Sequence, residues 1–136
     1  MAIHVYWEDD SKTIMRYDFE GEWTWDDLYK VFYQALEMET SVPHRVDVIL
    51  DMRHSGRIPH NALTHIKNIS DKEPPNIGLS VFVTSNRFLI SLYNVGIKFY
   101  NKIGYYFRLT STLEEAHALI AHDRKARPQP FPKATR

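Results

Sequence analysis

The sequence predicts an α/β domain: a mixed, mainly parallel sheet of about five strands with about four helices, in the order ββαβαβαβα. Three observations lead there. Residues 3–19 alternate apolar and polar with a period of two across an acidic turn, the pattern of a hairpin. Beyond them, segments with helical spacing alternate with short β-branched runs. No internal repeat or Gly/Pro-rich linker divides the 136 residues, so one domain over residues 1–125 is expected. Strands that alternate with helices after an opening hairpin imply parallel pairing through right-handed crossovers.

Ile3, Val5 and Trp7 form one apolar row, and Thr13, Met15, Tyr17 and Phe19 form the other, with Glu8-Asp9-Asp10-Ser11 turning between them. Gly21 ends the hairpin. Thr24 is an N-cap candidate with Asp27 three residues on, and Trp25, Leu28, Phe32, Ala35 and Leu36 recur at helical spacing to about Met38, before Pro43. Arg45 to Met52 is a β-branched run suited to a central strand buried on both faces. Ser55-Gly56 supplies a turn, and Pro59 fits the first position of a second helix carrying Leu63, Ile66 and Ile69 until Pro74-Pro75. Ile77 to Thr84 reads as a fourth strand. Ser85 or Asn86 caps a third helix reaching about Ile103, Gly104 closes it, and Tyr105 to Leu109 is a fifth strand. Ser111-Thr112-Leu113-Glu114 has the capping-box pattern, and the last helix runs to about Lys125. The Pro-rich basic residues 126–136 are expected to form a flexible tail.

Composition narrows the function classes. Seventeen basic residues balance seventeen acidic ones, which gives no sign of a nucleic-acid binder. The balance is uneven along the chain: residues 1–51 hold twelve acids and four bases, and residues 52–110 hold two acids and eight bases. Opposed patches of this kind suit a charged partner or head-to-tail self-association. The absence of cysteine excludes a disulfide framework, a thiolate nucleophile and a Cys-based zinc site. The first ten residues lack the basic start and apolar run of a signal peptide, and no stretch resembles a membrane span, so a cytoplasmic protein without membrane insertion is expected.

The element order, together with Val48-Ile49-Leu50-Asp51-Met52 leading into the second helix and Ser111-Thr112-Leu113-Glu114-Glu115-Ala116 opening the last, resembles the STAS domain in its SpoIIAA-like branch, over roughly Ile3 to Asp123. The resemblance implies a cytoplasmic regulatory module akin to anti-sigma-factor antagonists, which bind a kinase-like partner and are switched off by phosphorylation of a serine at the start of the second helix. Aligning Asp51 with the family's strand-end Asp sets Asn61 where that serine stands. A carboxamide cannot accept a phosphoryl group, so the resemblance implies the scaffold and a binding role without the phosphoserine switch. The partner-facing surface it implies comprises Arg53, His54, Ser55, Arg57, His60 and Asn61.

The residues also invite chemical readings. Asp51, Arg53, His54 and Arg57 surround the carboxyl end of a central strand, where open α/β sheets collect ligands. No nucleophile with a base at recognisable spacing and no Gly-rich phosphate loop accompanies them, so an Asp–Arg pair beside a partner-facing loop is favoured over a catalytic site. His60 and His65 are five residues apart, which turns them about 140° from each other on a helix and disfavours a metal site. No metal or cofactor is expected. On the third helix, Arg87, Ser91, Asn94, Lys98, Asn101 and Lys102 share one polar arc and nearly everything else is apolar, so Ile90, Tyr93, Ile97 and Tyr100 are candidates for a homodimer or partner surface. Trp23 and Trp25 sit among Glu20, Glu22, Asp26 and Asp27, a setting that repels nucleic acid. The expectation is a non-enzymatic protein-binding module. The alternative is a small-apolar-ligand or lipid-binding domain, which would need an apolar cavity of at least roughly 300 Å³ bordered by the third helix.

Overall fold

A computed structural model describes residues 2–127. The opening hairpin pairs β1 (Ile3–Trp7) with β2 (Ile14–Gly21) in antiparallel register, Ile3 opposite Phe19 and Trp7 opposite Met15. Asp9 builds the turn: its carboxylate accepts hydrogen bonds from the backbone N–H groups of Thr13 and Ile14 and from the Thr13 hydroxyl. α1 (Trp25–Thr40) begins at the expected cap, where Thr24 accepts from the Asp27 N–H and Asp27 accepts from the Thr24 N–H. β3 (Val46–Ser55), β4 (Ile77–Val83) and β5 (Phe107–Thr110) then add in parallel, giving the sheet order β1-β2-β3-β4-β5 with β3 central.

Because the parallel strands add in one direction, right-handed crossovers place α1, α2 (Ala62–Asp71), α3 (Arg87–Phe99) and α4 (Asn101–Tyr106) on one face. α5 (Leu113–Ala126) packs on the other. The larger core lies under the four helices, where Met15, Tyr17, Phe19, Val48, Met52 and Phe82 meet Leu28, Val31, Leu89 and Ile103. The smaller one joins Ile49, Leu79, Val81 and Val83 to Ala116 and Ile120 of α5. On the α5 side, β2 and β3 present Ile14 and Ile49 to that core and otherwise carry polar residues, Arg16 and Asp18, Asp47 and Asp51.

The structure departs from the sequence expectation in four places. The expected third helix breaks at Tyr100, whose extended backbone (φ −130°, ψ 106°) divides α3 from α4, so there are five helices among the described residues rather than four. The break lets Ile103 and Tyr106 turn into the core, leaves Gly104 inside α4, and delays β5 to Phe107. α2 starts at Ala62 rather than Pro59, because Asn61 adopts the left-handed conformation (φ 66°, ψ 31°) and the Trp25 indole holds the preceding loop through the His60 carbonyl at 2.6 Å. The second capping box lies one residue later, between Thr112 and Glu115, with Ser111 also donating to Glu115. β3 continues through Ser55 because Glu20 and Gly21 pair with His54 and Ser55, so these site residues are on a strand. The tail expected from residue 126 lies, from residue 128 on, outside the described residues.

Candidate polar site at the carboxyl edge of the sheet

Asp51 is 5% exposed at the end of the central strand and meets two guanidiniums. Arg53 donates from Nε to Oδ1 at 2.9 Å and from Nη2 to Oδ2 at 2.8 Å, and Arg16 adds Nη2 to Oδ2 at 3.1 Å. Burial pushes the Asp51 carboxyl upward, but the Arg53 hydrogen bonds and the Arg16 charge outweigh it and hold it below the usual carboxylate range. Arg16 is a hub in its own right, also reaching Glu8 at 2.8 Å and Asp18 at 2.9 Å. Asp18 in turn accepts from the Tyr6 hydroxyl at 2.6 Å, which together with desolvation, the larger cause, raises that phenol to about 12. This network covers the part of the sheet that α5 leaves open, and His117 of α5 joins it through Glu8.

Beside Arg53 lies an open polar cleft of about 210 Å³. Met52, Arg53, Ser55 and Ile58 line one side, and Thr84, Ser85 and Asn86 line the other. The Thr84 hydroxyl accepts from the Asn86 N–H at 3.0 Å, and the Asn86 side chain caps α3 by accepting from the Leu89 N–H at 3.0 Å. The cleft therefore spans the ends of two neighbouring parallel strands and the start of the next helix, a common setting for ligands in such sheets.

Of the residues singled out in the sequence, the cleft gathers Arg53 and Ser55. Ser55 has a structural duty too, accepting from the Trp23 indole at 2.8 Å and donating to the Gly56 carbonyl at 3.0 Å. His54, Arg57, His60 and Asn61 are exposed but do not line it. The Arg57 side chain is 95% exposed, with its backbone N–H donating to Glu22 at 3.1 Å. Asp51 pairs with Arg16 and Arg53, and no hydrogen bond joins it to His54. His65 is tied into the fold, stacked on Trp25 with centroids 4.5 Å apart and hydrogen-bonded through Nδ1 to Tyr29 at 2.8 Å. Among the described residues, no group of three or more His, Asp or Glu side chains is placed to hold a metal.

The candidate oligomer surface is redrawn by the structure. Ile90, Tyr93 and Tyr100 are half-buried, and the Tyr93 hydroxyl donates to the Phe107 carbonyl at 2.9 Å; of the four, Ile97 alone is exposed. The apolar side chains that α3 offers to solvent are instead Phe88, Val95, Ile97 and Phe99. The buried residues of α3 are Leu89 and Gly96, and Gly96 sits against Leu63 and Ile103, where an added Cβ would come within 3.1 and 3.2 Å of their methyl groups.

Sequence reasoning misses three features. Asn86 is legible as a cap, but its apposition to Arg53 depends on the strand order, which no local pattern encodes. Asp47, fully buried, accepts from Arg45, from Arg124 Nε at 2.7 Å and from the Leu79 N–H at 2.7 Å. Glu39, on the inward side of α1, is 1% exposed and shares with Tyr17, Ser80 and Glu73 a small cavity of about 30 Å³; the helical spacing Leu28, Phe32, Ala35, Glu39 was its available signal. A neighbouring cavity lined by Trp23, Trp25, Leu50, Phe82 and Leu89 is apolar and holds only about 40 Å³. No helix among the described residues is long and apolar enough to cross a membrane. Comparison of the chain with family models, with curated proteins and with solved structures finds no match in any of the three, so the fold and this polar edge are the basis on which function is read.

Proposed function

We propose that this chain is a non-enzymatic, protein-binding regulatory module of the STAS type, which docks a partner through the polar carboxyl edge of its sheet. The observation that carries the reading is the capture of Asp51 by Arg16 and Arg53. Asp51, buried at that edge, is held ionised by two permanent cations, so it positions Arg53 at the cleft and is a poor base for proton transfer. Ser55 lines that cleft with Arg53, and the neighbouring strand end and loop carry the exposed side chains of His54, Arg57, His60 and Asn61, polar groups suited to recognition. The alternative of an apolar-ligand carrier is disfavoured, since the apolar cavity bordered by Leu89 has about 40 Å³ where a carrier needs roughly 300 Å³ or more.

Asn61 gives this reading a specific form. A residue with φ 66° favours Asn or Gly over other side chains, so Asn61 suits the backbone at the helix start as well as replacing a phosphate acceptor. The test is capture from native-host extract followed by a binding titration with each purified candidate. Arg57→Ala and Asn61→Gly preserve the fold, because the first side chain is almost wholly exposed and the second substitution keeps the backbone conformation. A partner at this edge loses about fivefold or more in affinity to Arg57→Ala if Arg57 contributes a charge-assisted hydrogen bond. Binding unchanged by both variants and by Arg53→Ala would sink the assignment of the edge.

A further inference from the structure

We propose that the α3–α4 face is a peripheral docking surface for a membrane rich in anionic phospholipid. The first observation is charge. From Pro74 to Leu113 the chain contains no Asp or Glu, while Arg87, Lys98, Lys102 and Arg108 are all cationic. Arg87 and Lys98 are exposed on α3, and among the described residues neither is in an ion pair. The second is shape. At about 100° per residue, Phe88, Leu92, Val95 and Phe99 fall in one stripe of roughly 60°, next to the arc that carries Arg87 and Lys98. Phe88 is 57% exposed, Val95 44% and Phe99 73%. Phenyl rings at the two ends of the helix, about 16 Å apart along its axis, therefore project outward with cations alongside.

A third observation lies at the far end of the stripe. Phe99 borders an open groove of about 230 Å³ in which Lys67 and Lys102 both contact the single carboxylate of Asp71, at 2.9 and 2.8 Å. Two ammoniums sharing one carboxylate leave a positive surplus at the base of an exposed ring, a suitable setting for a phosphate headgroup.

These features favour a lipid surface over the other occupants. Two copies of the face would set Arg87 and Lys98 against like charges, with no acid on either helix to relieve them. A protein partner must present a shaped hole for each separated ring, whereas a bilayer interface accepts protruding aromatics at any spacing and supplies the negative charge that the lysines and arginines match. Since no helix among the described residues can span a bilayer, the contact is peripheral. It shares no lining residue with the cleft at Arg53, although Arg87 and Phe88 follow directly on Asn86 at its edge, and it does not rest on the function proposed there.

The experiment is flotation of the purified full chain with vesicles of phosphatidylcholine alone and of phosphatidylcholine with phosphatidylserine, alongside light scattering for oligomeric state. Binding is expected only with phosphatidylserine present, and weakens as salt is raised. Lys98→Ala should lower the partition coefficient about fivefold, and Phe88→Ser combined with Phe99→Ser by about tenfold or more. Tyr33→Ser, at a 51% exposed position on α1, is the control and leaves partitioning unchanged. Circular dichroism melts of each variant separate lost binding from lost folding. Absence of binding to either vesicle overturns the proposal, as does equal binding to both. A dimer dissolved by the Phe variants while vesicles are ignored overturns it too, and assigns the face to a second copy.

Discussion

Replacing Glu39 by glutamine should stabilise the protein, and the gain should grow with pH. Glu39 is 1% exposed, and its Oε1 has no hydrogen-bond partner among the described residues. Burial, reinforced by the charge of Glu73, raises its pKa from 4.5 to about 9. A carboxyl whose folded pKa lies above its unfolded one favours the fold in its neutral form. That contribution is complete below about pH 4.5 and fades as pH rises towards about 9. Each pH unit in that window weakens the fold by at most about 1.4 kcal/mol, so by pH 7 about 3 kcal/mol has been lost relative to pH 4.5. The carboxamide of Glu39→Gln keeps the volume and never ionises. Urea unfolding of both proteins between about pH 5 and about pH 8 should show the variant's advantage widening by roughly 1 kcal/mol per unit. Parallel stability curves would refute the reasoning, since they would mean that Glu39 ionises in the folded protein as freely as in the unfolded one.

Other perturbations probe the scaffold. Asp47→Ala leaves Arg45 and Arg124 without their buried carboxylate and should cost about 3–5 kcal/mol in urea unfolding. Gly78→Ala drives a Cβ into Arg45 Nε and Asp47 Oδ1, so displacement of that pair should lower stability by about 1–3 kcal/mol in the same assay. Thr24→Ala removes the α1 cap, with an expected loss of about 1 kcal/mol and earlier amide exchange in the first turn. Asn61→Ala should cost about 1–2 kcal/mol because alanine resists φ 66°, while Asn61→Gly stays near the parent; equal melting of the two would argue against a left-handed residue there.

What the sequence made legible was local. The hairpin, the Thr24–Asp27 cap and the central position of β3 follow from alternation, capping chemistry and a β-branched run, each contained within a few residues. The break at Tyr100 was not legible, because Tyr93, Gly96 and Lys98 continue a sound helical pattern. What interrupts it is the burial of Ile103 and Tyr106, together with Leu63 packed over Gly96. The true start of α2 was hidden for a related reason: Pro59 is a good first helical residue, yet the Trp25–His60 hydrogen bond from another element holds that loop outside the helix. At the site, Arg53 and Ser55 follow from the rule about strand ends. Thr84, Ser85 and Asn86 follow from the same rule only once β4 is known to lie beside β3.

The same distinction decides what the uneven charge of the chain means. Along the sequence the acids lead and the bases follow, which suggests two opposed patches. In space much of that contrast is cancelled, because Arg53 folds back on Asp51, Arg57 approaches Glu22 and Arg124 closes on Asp47. A dipole built from chain order alone would therefore overstate the field. The exception is the stretch from Pro74 to Leu113, which brings cations and no acids, and whose exposed Arg87 and Lys98 no N-terminal carboxylate of the described residues reaches. The excess basic charge of the middle of the chain survives folding mainly there, beside Phe99, the most exposed large apolar side chain among the described residues. A protein with zero formal charge thus presents one cationic, apolar face, and the salt dependence of any contact it makes should be set by that face rather than by the total.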